Sequence, residues 1–104
     1  MSCCRNDAVL LPVPFTDLTS RKVRPAVVLG RARHGDLFIV PISSQLPNTD
    51  YALADWRAAG LNVPCGIKAQ LATVEERLVV KTLGRVSGKD EQALNQLLRG
   101  WLGL

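Results

Sequence analysis

The sequence predicts a single α+β domain over residues 1–104, in which a small, strongly curved antiparallel sheet or barrel is followed by one C-terminal helix. A chain of 104 residues has room for one hydrophobic core. Short apolar runs, many of them β-branched, alternate with turn residues up to residue 86, which is typical of antiparallel strands. Beyond residue 86 the apolar spacing changes to that of one helix face.

Three strands are expected in the first half of the chain. The apolar run 8–13 predicts a buried strand, and Pro12 cannot donate a ladder hydrogen bond, so this strand ends at a sheet edge or leaves the sheet. The apolar runs 25–29 and 37–42 predict the two strands of a hairpin. Its turn is expected at 31–35, where glycine and polar residues interrupt the apolar pattern.

The second half predicts shorter elements. Residues 51–53 are expected to form a short strand, and 54–60 are expected to form a helical turn that ends at a glycine. Alternation over 66–74 predicts one continuous strand, and 78–86 predicts another. In the alternating strand one face carries Ile67, Ala69 and Leu71, and the other carries Lys68, Gln70 and Ala72.

The C-terminal helix is expected from about Ser87 to Leu102. Ser87 with Asp90 three residues later resembles a capping box, with Asp in place of the usual Glu. One face of the helix is apolar and is expected to pack on the sheet as part of the core. That face carries Leu94, Leu97, Leu98, Trp101 and Leu102.

The charge distribution favours a polyanionic partner. The net charge is +4 and the sequence pI is about 9.3. Between Ser20 and His34 there is no acidic residue, and this local excess favours nucleic acid over a merely solvated surface. The basic residues of the segment are Arg21, Lys22, Arg24, Arg31 and Arg33.

The sequence contains no signal for membrane insertion or secretion. No stretch approaches the roughly 20 apolar residues that cross a bilayer, and the N-terminal MSCCRND has no apolar segment of signal-peptide length. A cytoplasmic protein without a membrane partner is therefore expected.

Several classes of chemistry are poorly supported by the residues present. The one histidine, His34, lies in a predicted hairpin turn, where it is either solvated or touches RNA. Three cysteines form no Cys-x-x-Cys motif, so neither a zinc site nor a disulfide framework is expected, and Cys65 is interpreted as structural. The acidic residues are scattered singly, and nucleotide-binding glycine motifs are missing. We therefore expect neither a metal nor a cofactor.

The remaining candidates for a functional site are arginine, hydroxyl and amide side chains, and one reaction suits these groups. RNA carries its own nucleophile in the 2′-hydroxyl beside each phosphodiester. A protein can therefore cleave RNA by aligning that hydroxyl and stabilising the charge that develops on the phosphate. An arginine fork beside a hydroxyl suits phosphate oxygens. Proton transfer is the step for which arginine is poorly suited.

Three segments, taken together, resemble the MazF/PemK family of type II toxins. VPFTD followed by KVRPAVVL (13–17 and 22–29) resembles the N-terminal signature of the family. PISSQ (41–45) resembles the loop after its third strand, and AQLATVEERLV (69–79) resembles its late strand and turn. The segments occur in the family's order over nearly the whole chain.

The resemblance implies a small SH3-like barrel of the MazF/PemK/CcdB type that forms a homodimer. It further implies a sequence-specific, metal-independent endoribonuclease that cleaves single-stranded mRNA and leaves a 2′,3′-cyclic phosphate and a 5′-hydroxyl. A cognate antitoxin with a disordered segment is expected to block the RNA groove.

The resemblance also assigns candidate site residues. Arg24, just before Pro25, matches the family's catalytic arginine, which contacts the scissile phosphate. Ser43 matches the serine or threonine that accompanies it and orients the phosphate. Arg21 and Lys22 belong to a first loop that gates access. The full set of RNA-binding candidates is Thr16, Arg21, Lys22, Ser44, Gln45, Lys68 and Gln70.

The chain departs from the family pattern at Ala72, where several members carry an arginine. In a continuous strand Lys68 lies about 13 Å from Ala72, too far to replace that charge. The acid–base pair of the PemK branch has no counterpart, because Ile67 and Ala69 are apolar. Two alternatives to a nuclease follow: a catalytically weak or inactive RNA- or protein-binding module, including a gyrase-inhibitor-like toxin of the CcdB branch, and a purely structural barrel with a solvated basic loop.

Overall fold

The computed structural model describes residues 3–12 and 23–104, which form seven strands, three short 3-10 turns and one α-helix. The strands and the helix are β1 (Asp7–Pro12), β2 (Val23–Arg31), β3 (Asp36–Ser43), β4 (Tyr51–Ala52), β5 (Gly66–Ile67), β6 (Ala72–Glu75), β7 (Lys81–Arg85) and α1 (Gly88–Leu102).

The three long strands form the centre of the sheet. β2 pairs antiparallel with β1 on one side and with β3 on the other. The hairpin turn between β2 and β3 contains His34 (φ 66°) and Gly35 (φ 79°), two consecutive positions in the left-handed region that glycine tolerates best. All three strands expected in the first half are present, and β2 is longer than the apolar run that predicted it.

β3 has two different neighbours along its outer edge. Its first half pairs with β6, from Asp36 opposite Glu75 to Ile39 opposite Ala72. Its end pairs with β5, which in turn pairs with β4. The sheet order is β4-β5-β3-β2-β1-β7, with β6 beside β3. The described strands therefore form a mainly antiparallel sheet that does not close, together with one C-terminal helix, and the predicted fold class is confirmed.

The single strand expected over 66–74 is wrong in one respect. The segment forms two strands, β5 and β6, separated by residues 68–71. Between them the Gln70 backbone N–H donates to the Lys68 carbonyl at 2.8 Å and turns the chain. Apolar and polar residues continue to alternate through this turn, so the sequence pattern alone cannot reveal that the strand is interrupted. The strand expected over 78–86 is likewise shorter, because a 3-10 turn occupies Glu76–Leu78.

α1 begins and ends as the sequence predicts. Ser87 is the N-cap, and its hydroxyl accepts the Asp90 N–H at 3.2 Å. Gly103, at φ 70°, lies in the left-handed conformation that ends helices. Leu94 is buried, and Leu98 and Trp101 pack on the core. Leu102 is 54% exposed, so the expectation that it belongs to the core is wrong; it is the last residue of the helix and lines an open groove instead.

The sheet buries apolar side chains on both faces. One cluster lies between the sheet and α1 and includes Val27, Val40, Ile42, Ile67 and Leu94. The second lies on the other face of the sheet. It contains Cys3, Val9, Leu11, Ala26, Val28, Leu37, Ile39 and Val74. Alternate residues of β2 and β3 thus face different cores.

The loop after β4 is tied to the start of α1. The buried carboxylate of Asp90 accepts hydrogen bonds from the Tyr51 hydroxyl at 2.6 Å and from the backbone N–H groups of Ala54 and Asp55 at 2.8 and 2.9 Å. Residues 54–60 form turns rather than a regular helix, and Gly60 (φ 81°) ends them. In the described part of the chain, no helix is both long and apolar enough to cross a membrane.

Candidate nucleic-acid interface

Arg24 lies near the start of β2 on the outer surface of the protein. It is exposed and pairs with Leu11 of β1. Pro25 follows it, and a proline disfavours helical backbone at the residue before it, so the arginine is held in an extended conformation. Because Leu11 and Arg24 are direct partners, their side chains share one face of the sheet, the face of the second core.

Ser43 is the last residue of β3 and is half-buried. It pairs with Gly66 of β5. Its hydroxyl oxygen accepts the backbone N–H of Gln45 at 3.1 Å, which is the hydrogen bond of a serine turn. The oxygen is therefore engaged as an acceptor, and its own O–H remains as a donor to a ligand.

The register of the sheet relates Arg24 to Ser43. The pairs between β2 and β3 include Val27 opposite Val40 and end with Ala26 opposite Pro41. Arg24 and Ser43 each lie two residues beyond this last pair, at the same end of β2 and β3. Paired residues project to the same face, and so do residues two positions apart on a strand, so Arg24 and Ser43 share the face of Ala26 and Pro41. A guanidinium and a hydroxyl thus lie at one end of one face.

Lys68 joins this end of the sheet from the other side of β3. Its backbone N–H donates to the Pro41 carbonyl at 3.0 Å, directly after Ile42 pairs with Ile67. Ile67 faces the helix-side core, so Lys68 faces the opposite way, and its side chain is half-buried. We call Arg24, Ser43 and Lys68 the Arg24 face.

The expected separation between Lys68 and Ala72 is wrong. Lys68 lies beside Pro41, and Ala72 pairs with Ile39, two residues along the same strand. The rise along β3 puts them about 7 Å apart in that direction rather than 13 Å. The reason is the turn at 68–71, which shortens the path between β5 and β6.

Asp50 and Thr49 support this end of the sheet, and the sequence analysis missed both. The Asp50 carboxylate accepts the Ala69 N–H at 2.7 Å, while its own N–H donates to the Ile67 carbonyl at 2.8 Å. A side chain at Gly66 would lie 2.4 Å from the Thr49 hydroxyl. The sequence does show a cluster of turn-forming residues over 43–50. That cluster does not reveal which backbone groups the Thr49 and Asp50 side chains contact.

The other candidates fall into two groups. Ser44, Gln45 and Gln70 are exposed near the Arg24 face, and the side-chain Oε1 of Gln45 accepts the Asn48 side-chain amide at 3.1 Å. Thr16, Arg21 and Lys22 lie outside the described residues.

The arginines of the basic segment that the structure describes do not form one patch. Arg31 ends β2, seven residues from Arg24, which is about 23 Å in an extended strand. Its guanidinium is paired with Glu76, with Nη2 2.9 Å from Oε1. Arg33 and His34 lie in the adjacent hairpin turn, at the same distant end. Among the described residues of the segment, Arg24 therefore lies at one end of the sheet, and Arg31 and Arg33 lie at the other.

Two of the three cysteines, Cys3 and Cys65, have the features of structural residues, whereas Cys4 is exposed. Cys3 and Cys65 are buried, and burial is the main cause that raises the pKa of both thiols, which disfavours the nucleophilic thiolate. Within residues 3–12 and 23–104, no group of His, Cys, Asp and Glu could hold a metal ion.

The described residues form a small domain in which a mainly antiparallel sheet is followed by one helix. It is similar to the structure described as "Endoribonuclease in complex with its cognate antitoxin from Mycobacterial species", with a TM-score of 0.70 and 16% identity over 96% of this chain and 92% of that one. The chain belongs to the family of PemK-like, MazF-like toxins of type II toxin–antitoxin systems, whose model matches residues 5–102. A comparison with curated proteins gives no match.

Proposed function

We propose that this toxin is a metal-independent, sequence-specific endoribonuclease that cleaves single-stranded mRNA. The observation that carries the proposal is the pairing register, which brings Arg24 and Ser43 to one end of one face. Membership of a toxin family over residues 5–102 supports it, and so does a structural neighbour described as an endoribonuclease.

In the proposed reaction the RNA supplies the nucleophile. The 2′-oxygen loses its proton and forms a bond to the adjacent phosphorus, and the bond from phosphorus to the 5′-oxygen breaks. The products are a 2′,3′-cyclic phosphate and a 5′-hydroxyl, whose oxygen gains a proton. Arg24 donates to the non-bridging oxygens, on which negative charge increases, and Ser43 orients the phosphate with its O–H.

Alignment and charge stabilisation supply the rate enhancement in this scheme. Holding the 2′-oxygen in line with the leaving oxygen contributes several kcal/mol, and a pre-positioned donor contributes about 3 kcal/mol. A guanidinium stays protonated at neutral pH, so Arg24 acts by its charge and geometry rather than by proton transfer.

A cognate antitoxin is the proposed protein partner. The structural neighbour was solved with its own antitoxin, and the family consists of toxins from type II toxin–antitoxin systems. By analogy, the antitoxin would cover the Arg24 face and exclude RNA. The proposed site of action is the cytoplasm, where mRNA is found.

A homodimer is the proposed assembly. A groove of about 510 Å³ between α1 and the sheet is lined by exposed apolar side chains. Contiguous apolar surface of this kind is a common mark of a protein interface. The exposed apolar residues of the groove are Phe38, Leu71, Leu102 and Leu104.

A second candidate is a binding module of the same fold that has lost catalysis. Ala72, which packs on the second core, favours it, because no cation arises from β6 at this position. Such a module would bind RNA, or a protein such as gyrase, without cleaving RNA.

Incubation of the purified protein with single-stranded RNA in excess EDTA distinguishes the two candidates. The nuclease predicts discrete fragments with cyclic phosphate ends, and sequencing their 5′ ends would give the cleavage sequence. Salt-sensitive RNA binding without fragments would instead identify a binding module. A folded protein that neither binds nor cleaves RNA would overturn both RNA-directed interpretations.

A further inference from the structure

Lys68 occupies a fixed position between two strands. On one side its backbone N–H donates to Pro41 of β3 at 3.0 Å. On the other side Asp50 holds the preceding and following residues, through the Ile67 carbonyl at 2.8 Å and the Ala69 N–H at 2.7 Å. The backbone that carries this lysine is therefore restrained from both directions, although it belongs to a connection between strands.

The turn at 68–71 and the packing at Gly66 add to this restraint. The Gln70 N–H donates back to the Lys68 carbonyl at 2.8 Å. Thr49 and the Tyr51 carbonyl lie where a side chain at residue 66 would be, at 2.4 and 2.8 Å from its Cβ position. The loop before β4 thus packs closely against β5, at the residues that immediately precede Lys68.

The ammonium group of Lys68 has the reach to share a ligand with Arg24. Lys68 flanks Pro41, whose partner on β2 is Ala26, two residues from Arg24. All of these side chains project to the same face. Neighbouring strands lie about 4.8 Å apart, so two strand spacings separate the lysine from β2. Flexible lysine and arginine side chains span such a gap by meeting at a common anion.

We propose that Lys68 is a catalytic residue that contacts the scissile phosphate together with Arg24. The inference rests on the proposed nuclease function and extends it. Lys68 forms and breaks no covalent bond; its charge stabilises the non-bridging oxygens as the 2′-oxygen attacks. It provides a second cation on the Arg24 face, where β6 presents only the methyl group of Ala72.

The first test compares Lys68→Ala and Lys68→Gln with the wild-type protein in steady-state RNA cleavage. We expect kcat to fall on the order of 100-fold, as for loss of one transition-state donor, with a smaller change in KM. Lys68→Gln keeps most of the aliphatic side chain, so it separates loss of charge from loss of packing. Lys89→Ala is the matched control, because Lys89 is exposed on α1 and the substitution makes the same change in net charge.

The second test restores a cation from the neighbouring strand. In the double variant Lys68→Ala/Ala72→Arg, the new arginine starts from the same face, next to Ile39. We expect cleavage to recover at least tenfold over Lys68→Ala alone. RNA binding gives a further readout: the slope of log K against log salt should fall by about 0.7 for Lys68→Ala, the value for one single-strand phosphate contact.

The outcomes separate this inference from the function on which it rests. If the wild-type protein cleaves RNA and both Lys68 variants cleave equally fast, the inference is overturned and the nuclease proposal stands. If the variants lose only binding, with kcat unchanged, the catalytic role is overturned. If the wild-type protein cleaves no RNA, the proposed function fails and this inference fails with it.

Discussion

The Tyr51 hydroxyl donates a 2.6 Å hydrogen bond to the buried carboxylate of Asp90, 39 residues further along the chain. The same carboxylate accepts two backbone N–H groups from the loop after β4. Burial on its own raises the pKa of Asp90, but these hydrogen bonds outweigh it, and the pKa is lowered. The start of α1 is thereby joined to β4, the neighbour of the strand that leads into Lys68.

Replacement of Asp90 should destabilise the fold strongly. Asp90→Ala leaves the Tyr51 hydroxyl and two backbone N–H groups without their acceptor, and we expect a loss of about 3 kcal/mol in the free energy of unfolding. Urea denaturation monitored by circular dichroism measures it. The control, Gln92→Ala, changes an exposed residue of the same helix and should leave stability within about 0.5 kcal/mol.

Acid should weaken the contact between Glu76 and Arg31. The hydrogen bond from Arg31 is the main cause that lowers the pKa of Glu76 from 4.5 to about 2. A lowered pKa means that the stabilisation is present in full above pH 4.5 and is lost as the pH falls towards about 2. The melting temperature of the wild type should therefore exceed that of Glu76→Gln at neutral pH and converge with it in strong acid.

A variant of Arg31, the residue paired with Glu76, provides the control for the acid-dependence experiment. In an Arg31→Ala background, Glu76→Gln should produce a much smaller acid-dependent difference, because the guanidinium that lowers the pKa is gone. A pH-dependent difference that persists unchanged in this background would contradict the assignment of Arg31 as the cause.

Two glycines should respond to alanine in opposite directions. Gly60 has φ 81°, and a Cβ there would lie 2.1 Å from the Leu83 carbonyl oxygen, so Gly60→Ala should cost more than about 2 kcal/mol. Gly100 lies within α1 with open space around its Cβ position. Gly100→Ala should stabilise the protein by about 0.5–1 kcal/mol. Thermal denaturation of both variants tests the pair, and stabilisation by Gly60→Ala would show that this turn is not held as described.

More of the fold than of the candidate site could be predicted from the sequence. Short apolar runs identify β1, β2 and β3, because strands buried on both faces of a sheet need apolar residues at successive positions. The spacing of the leucines identifies α1. The split between β5 and β6 depends on hydrogen bonds from Asp50 and within the 68–71 turn. Those contacts link residues separated by up to 19 positions, and alternation does not encode them.

The candidate site was located by resemblance rather than by pattern. Arg24 and Ser43 are 19 positions apart, and only the register of β2 on β3 relates them. The charge run that favoured nucleic acid was a less specific guide, since the sheet carries Arg31 and Arg33 to the far end. A one-dimensional count of charges cannot distinguish residues on one strand that lie about 23 Å apart.

Disruption of the apolar groove should dissociate the proposed homodimer. Phe38 is 45% exposed in that groove, and Phe38→Glu would place a charge where two apolar surfaces meet. Sedimentation velocity should show the wild type as a dimer and the variant as a monomer. Val63→Glu is the control, because Val63 is 50% exposed and lies outside the groove. An unchanged sedimentation coefficient for Phe38→Glu would place the dimer interface elsewhere.

The most direct test of the central claim is the rate of RNA cleavage in excess EDTA by the wild type, Arg24→Ala and Arg33→Ala. Both arginines are exposed, but Arg33 lies in the hairpin turn at the other end of the sheet. We predict that Arg24→Ala keeps the wild-type melting temperature and loses at least about 100-fold in rate, while Arg33→Ala cleaves like the wild type. Equal cleavage by all three proteins would contradict the account.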